Sequence, residues 1–150
     1  MKHIGWVMCA IWLAPALYAL DVEVDRSFKI TGIKRTGQTV VLPAQRKRYY
    51  NIRILDPQTY RFVSQCSEPC VQPLGTLTPQ VIGVRPARTR QDMWIADVGF
   101  AKQWFITFLV FEKPSGLFDV QAPSGFTFLD GALKQRTHQA ILQQIKQENP

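Results

Sequence analysis

The chain is poor in the residues that enzymes most often use. Histidine occurs twice in 150 residues, as His3 and His138. Acids are outnumbered by bases, 11 to 18. There is no G-x-S-x-G elbow, no H-E-x-x-H helix, no phosphate loop and no dinucleotide-type glycine fingerprint. Past residue 20 no apolar run is long enough to span a membrane. The longest, Trp104–Phe111, has the length of a strand and is interrupted by Thr107. These absences count against hydrolytic, nucleotide-dependent and integral membrane functions. A serine–histidine–aspartate site scattered along the chain would have only His138 to use. Carboxylate pairs such as Asp92 with Asp97, or Asp119 with Asp130, are the weakest catalytic candidates. An enzyme with an unrecognised site remains the third reading, and no cofactor is implied.

Cysteine is scarce as well, and its placement is informative. Of three cysteines, Cys9 falls in an N-terminal segment that reads as a secretory signal. Met1-Lys2-His3 gives a short positive start. Ile4–Leu13 is apolar, Ala14–Ala19 carries small residues, and Asp21, Glu23 and Asp25 end the apolarity. Cleavage after Ala19 is expected. A cut after Ala16 has the better Ala-x-Ala pattern, although it places Pro15 between the alanines. An uncleaved anchor is the alternative, but Pro15 interrupts a stretch already at the short limit for spanning. Cys9 is not in a lipoprotein context, because bulky Met8 precedes it. The expected organisation is a signal peptide over residues 1–19 and one domain over 20–150. The expected location is periplasmic or secreted.

An exported chain keeps two cysteines, Cys66 and Cys70, and an even count in an oxidising compartment favours a disulfide. Four extended residue steps span roughly 13 Å, whereas bridged Cα atoms lie about 4.4–6.8 Å apart. Ser67-Glu68-Pro69 must therefore turn. A redox dithiol and a soft-metal pair are the alternatives, but redox motifs usually have two intervening residues. No further metal ligands are evident, so no metal site is assigned.

Charge is abundant and lopsided. Residues 26–90 carry twelve Lys/Arg against Asp56 and Glu68, while residues 91–150 are close to neutral. Two basic clusters are the candidate partner- or anion-binding sites: Arg46-Lys47-Arg48-Tyr49 and Arg85, Arg88 and Arg90. Arginine forks suit phosphate and carboxylate oxygens. No nucleic-acid module signature accompanies them, which disfavours a nucleic-acid partner.

The remaining pattern is many short strands and one helix. Val22, Val24, Phe28 and Ile30 alternate with polar residues as a strand that Arg26 breaks. Thr39–Leu42, Tyr50–Ile54, Thr59–Val63, Val81–Val84 and Met93–Phe100 read as further strands. Trp104–Phe111, apolar nearly all round, reads as a central strand covered on both faces. Two Pro-Ser-Gly turns then lead through a meander to Phe126–Leu129. Leu133, Thr137, Ile141 and Ile145 recur every four residues behind an Asp130 N-cap, predicting a helix over about 130–147. The fold class is mainly β: an antiparallel β-sandwich or open barrel with one C-terminal helix. The functional expectation is an exported, non-enzymatic binding or assembly module acting through protein–protein contacts. One concrete version is a subunit of an envelope export or conjugation apparatus, with an envelope protein as partner. A basic binder of anionic polymers or lipid head groups is the second reading.

Overall fold

The computed structural model describes residues 18–43 and 51–148. Two open sheets pack into a sandwich, with no barrel closure. The first sheet has the order β10-β2-β1-β5, with β3 also on β2. It is built from β1 (Tyr18–Val24), β2 (Phe28–Thr36), β3 (Thr39–Val41), β5 (Cys70–Gln72) and β10 (Phe126–Phe128). The second sheet runs β4-β8-β7-β6, with β9 also on β8. Its strands are β4 (Ile52–Ile54), β6 (Pro79–Pro86), β7 (Met93–Phe100), β8 (Trp104–Glu112) and β9 (Phe118–Gln121).

Period-two alternation fixes which side of each sheet is buried. Val22, Val24, Phe28 and Ile30 point inward from the first sheet, and Ala96, Val98, Phe100, Trp104, Ile106, Phe108 and Val110 from the second, into one core. Phe28 is its hub, with ring centroids 5.2 Å from Phe100, 6.1 Å from Trp104 and 5.0 Å from Phe126. The C-terminal helix α2 (Gly131–Glu148) buries Leu133, Thr137, Ile141 and Ile145, the stripe expected from sequence. It contacts β6 and β10. Asp130 caps it by accepting from the Ala132 amide at 2.9 Å.

Four expectations need correction. Residues 22–30 are two strands, because Asp25 takes φ 48° and the chain reverses over Asp25–Ser27. The Asp25 carboxylate holds this turn by accepting from the Gly75 amide at 2.9 Å. Residues 59–63 are helical, inside α1 (Pro57–Gln65). Their β-branched and aromatic content suggests a strand, but Asp56 N-caps the segment, accepting from Thr59 N at 3.0 Å, and Pro57 presets the first turn. Thr59 and Val63, one turn apart, supply its buried side. The sheets are not purely antiparallel, since Val22–Val24 pairs with Cys70–Gln72 in parallel. Finally, the last strand does not extend the meander. Ala122–Gly125 carries the chain from β9 in the second sheet to β10 in the first. Gly125 (φ +83°) is required there, because a Cβ would sit 2.8 Å from Pro43 Cγ and 2.9 Å from the Thr31 carbonyl oxygen.

A buried polar chain ties α1 to the sandwich. Trp104 Nε1 donates to Gln72 Oε1 at 2.8 Å, and Gln72 Nε2 donates to Gln103 Oε1 at 2.8 Å and to Thr59 Oγ1 at 3.3 Å. The Thr59 hydroxyl lies within reach of both Gln103 Oε1 and Asp56 Oδ2. No buried side-chain polar atom among the described residues lacks a partner, so this network costs little in desolvation. At the other end of α1, Arg35 Nη1 donates to the carbonyls of Cys66 (2.6 Å) and Val63 (3.2 Å), where a cation suits the helix terminus.

Candidate functional site

Cys66 and Cys70 form the expected disulfide, with Cα atoms 5.7 Å apart. The bridged loop lies beside the outward face of the first sheet. Glu68 and Val71 line one shallow groove with Asp21, Glu23 and Lys29. That face is polar. Its cross-strand row reads Thr127–Lys29–Glu23–Val71, and Lys29 lies 3.7 Å from Asp21.

The outward face of the second sheet has the opposite character. Register places Met93, Ile95, Asp97 and Gly99 of β7 beside Phe111, Leu109, Thr107 and Phe105 of β8. Most of these are apolar, although the side chains opposite them in the alternation already fill the core. The buried residues of both helices belong to that inner core, and among the described residues neither helix is packed over this outward face. Instead, arginines lie across it. The Arg53 guanidinium sits 4.2 Å from the Phe105 ring centroid, and that of Arg90 sits 5.2 Å from Phe111. Each such cation–π contact is worth about 0.5–1 kcal/mol at an exposed site. Their aliphatic stems shield apolar surface that would otherwise face water. Ile95 is only 2% exposed. A bulge between Val81 and Gly83 leaves Ile82 57% exposed, with its Cδ1 over the flat spot at Gly99.

One acid sits inside this face. The Asp97 side chain is 15% exposed, accepts from Thr107 Oγ1 at 2.7 Å and pairs with Arg85 at 2.8 Å. At the rim Arg90 grips Asp92 through two nitrogens, at 3.0 and 2.7 Å. That hydrogen-bonded pair lowers the Asp92 pKa and raises that of Arg90.

The arginines selected from sequence therefore divide. Arg85 and Arg90 come together on one sheet face, each matched by a carboxylate. Arg88 is exposed in the turn between β6 and β7. Arg46, Lys47, Arg48 and Tyr49 lie outside the described residues. Sequence reasoning missed Arg53, Phe105, Leu109, Phe111 and Asp97 as surface features. The available signal was Trp104–Phe111 itself, apolar on both alternations. It is central in its sheet, and among the described residues no helix is packed over its outward side, where Phe105, Leu109 and Phe111 are half-buried and Thr107 is buried.

His138 is half-buried on α2. Its ring meets Phe128 edge-on at 6.2 Å. Burial, then Lys134, push its pKa down, and Asp119 opposes them. Among the described residues no three His, Cys, Asp or Glu side chains cluster as a metal site, and no helix is long and apolar enough to cross a membrane. No protein-family model, no curated protein and no solved structure matches this chain.

Proposed function

We propose that the protein is an exported, non-enzymatic assembly module whose outward second-sheet face docks a protein partner in the cell envelope. The observation that carries this reading is the composition of that face: Phe105, Leu109, Phe111, Met93 and Ile82, with Arg53, Arg85 and Arg90 around them. Interface centres are enriched in aromatics, methionine and arginine, and a polar rim surrounds them. Sheet edges are less suited to recruitment. β6 is bounded by Pro79 and Pro86 and carries the bulge, while β3 and β5 span three residues each. Prolines, bulges and short lengths are how proteins blunt edges against strand addition.

Export is supported by the N-terminal signal pattern and by the Cys66–Cys70 bridge, which suits an oxidising compartment. The strand pairing favours the earlier cleavage. β1 begins at Tyr18, paired with Arg35, and Ala19 pairs with Lys34, so a cut after Ala16 keeps the whole strand. Membership of an envelope export or conjugation apparatus is the concrete setting we propose.

Anion binding through Arg85 and Arg90 is disfavoured by their ion pairs, because a polyanion would have to displace Asp97 and Asp92. Leu109→Glu places a carboxylate at the centre of the face. It should reduce capture of the envelope partner by about 100-fold, with the circular dichroism spectrum unchanged. Undiminished capture by a folded Leu109→Glu protein would contradict the assignment. Binding to anionic vesicles that collapses with salt would favour the anionic-ligand reading instead.

A further inference from the structure

The second-sheet face carries opposite charges at the two ends of one column. Its outward residues form four rows across the strands. The first row holds Arg53 and Phe105, with Gly99 next to Phe105. The fourth holds Asp119 and Phe111, with Met93 next to Phe111. Arg53 and Asp119 occupy the same column, because β4 and β9 pair with the same side of β8 at its two ends. The rows between them hold Thr107 with Asp97 and Leu109 with Ile95. Rows on one face are two residues, or about 7 Å, apart along a strand.

We infer that the occupant of this face is a second copy of the same chain, packed face to face about a two-fold axis that crosses the strands between the second and third rows. Such an axis exchanges the first row of one copy with the fourth row of the other. Arg53 then meets Asp119 of the partner subunit, and Phe105 meets the partner subunit's Phe111. The side chain of the partner's Met93 falls against Ile82, which covers Gly99 in this copy. Each contact occurs twice, as an isologous interface demands.

Arg53 and Asp119 are the opposite charges at the two ends of the column, and neither has an ion-pair partner among the described residues. Arg85 and Arg90, by contrast, are already matched within the chain. The two charges left over are therefore the two that the symmetry operation brings together. The other candidate axis, parallel to the strands, would set Arg53 against Gln80 and leave both charges unmatched. Complementary rim charges of this kind fix register and suppress wrong pairings more than they add affinity.

This inference deepens the proposed function and rests on it. The test is sedimentation equilibrium of the purified protein and three variants: Arg53→Glu, Asp119→Arg and the double exchange. The wild-type chain should be a dimer. Each single change should weaken dimerisation by about tenfold, since like charges then face each other twice. The double exchange should restore the wild-type constant to within about threefold, because both ion pairs re-form with reversed polarity. Restoration also guards against misfolding as the cause of a single-variant loss. A wild-type protein that is monomeric at all concentrations would overturn the second-copy assignment. So would a dimer indifferent to both single changes. A monomer that still loses its envelope partner on Leu109→Glu would leave the proposed function standing and sink only this inference.

Discussion

The two outward faces of the sandwich have the same architecture and opposite chemistry. On the first sheet Asp21, Glu23, Lys29 and Thr127 face outward, and Val71, 45% exposed, is the one apolar member of that row. On the second sheet most outward positions of β8 are aromatic or aliphatic, namely Phe105, Leu109 and Phe111, with Thr107 and Asp97 between them and arginines against the two rings. A solvated antiparallel sheet ordinarily shows the first pattern, polar outside and apolar inside. The second face departs from it: Met93, Phe105, Leu109 and Phe111 are half-buried there and Ile82 is exposed. Folding alone explains the inward residues of both sheets. It does not explain why β8 is apolar outward too.

Changes that merge or separate the two faces sharpen the comparison. The largest effect should come at the crossing between the sheets. Gly125→Ala meets both a positive φ and close approaches to Pro43 and Thr31. It should destabilise the fold by about 2–3 kcal/mol in chemical denaturation. A loss below about 0.5 kcal/mol would mean that the crossing is looser than described.

Next come the acids, one on each face. Asp97→Ala strands the buried Thr107 hydroxyl and releases the exposed Arg85 guanidinium to water. It should cost about 1–2 kcal/mol. Asp21→Ala removes an exposed 3.7 Å pair with Lys29 and an exposed 3.4 Å hydrogen bond from the Gly32 amide, and should cost less than about 0.5 kcal/mol. Equal losses in urea titrations would erase the distinction between the faces.

The smallest effect belongs to neither face. The His138 pKa is lowered in the fold, so below the ordinary imidazole value of about 6.5 the unfolded chain binds more protons than the native one. Stability is therefore highest above that pH. It declines as pH falls through about 6.5 and levels off once the folded-state value is passed. Because the ring is only half-buried, the drop in Tm should be about a degree or two. His138→Gln should remove it. A Tm that rises on acidification over that range, and does so only with His138 present, would reverse the assigned direction.

Much of this fold is legible in the sequence, and the failures have physical causes. β7, β8 and α2 are strong because their periodicity is long and unbroken. Residues 59–63 mislead because strand propensity is weak beside a cap and a first-turn proline, both visible as Asp56-Pro57. The hairpin at Val24–Phe28 hides because Asp25, not glycine, takes the left-handed conformation. The functional face is half legible. Apolar residues on both alternations of β8 announce cover on both sides, but sequence cannot say whether that cover is the same chain or another. Nor could net charge reveal that Arg85 and Arg90 are paired, because Asp97 and Asp92 come beside them only through the β6–β7 hairpin and its turn.

The most direct measurement is site-specific photo-cross-linking in the native envelope, with the reactive amino acid placed at Leu109 in one protein and at Val71 in another. The account predicts a discrete cross-linked protein product from the Leu109 position and none above background from Val71. A product from Val71 with none from Leu109 would contradict it.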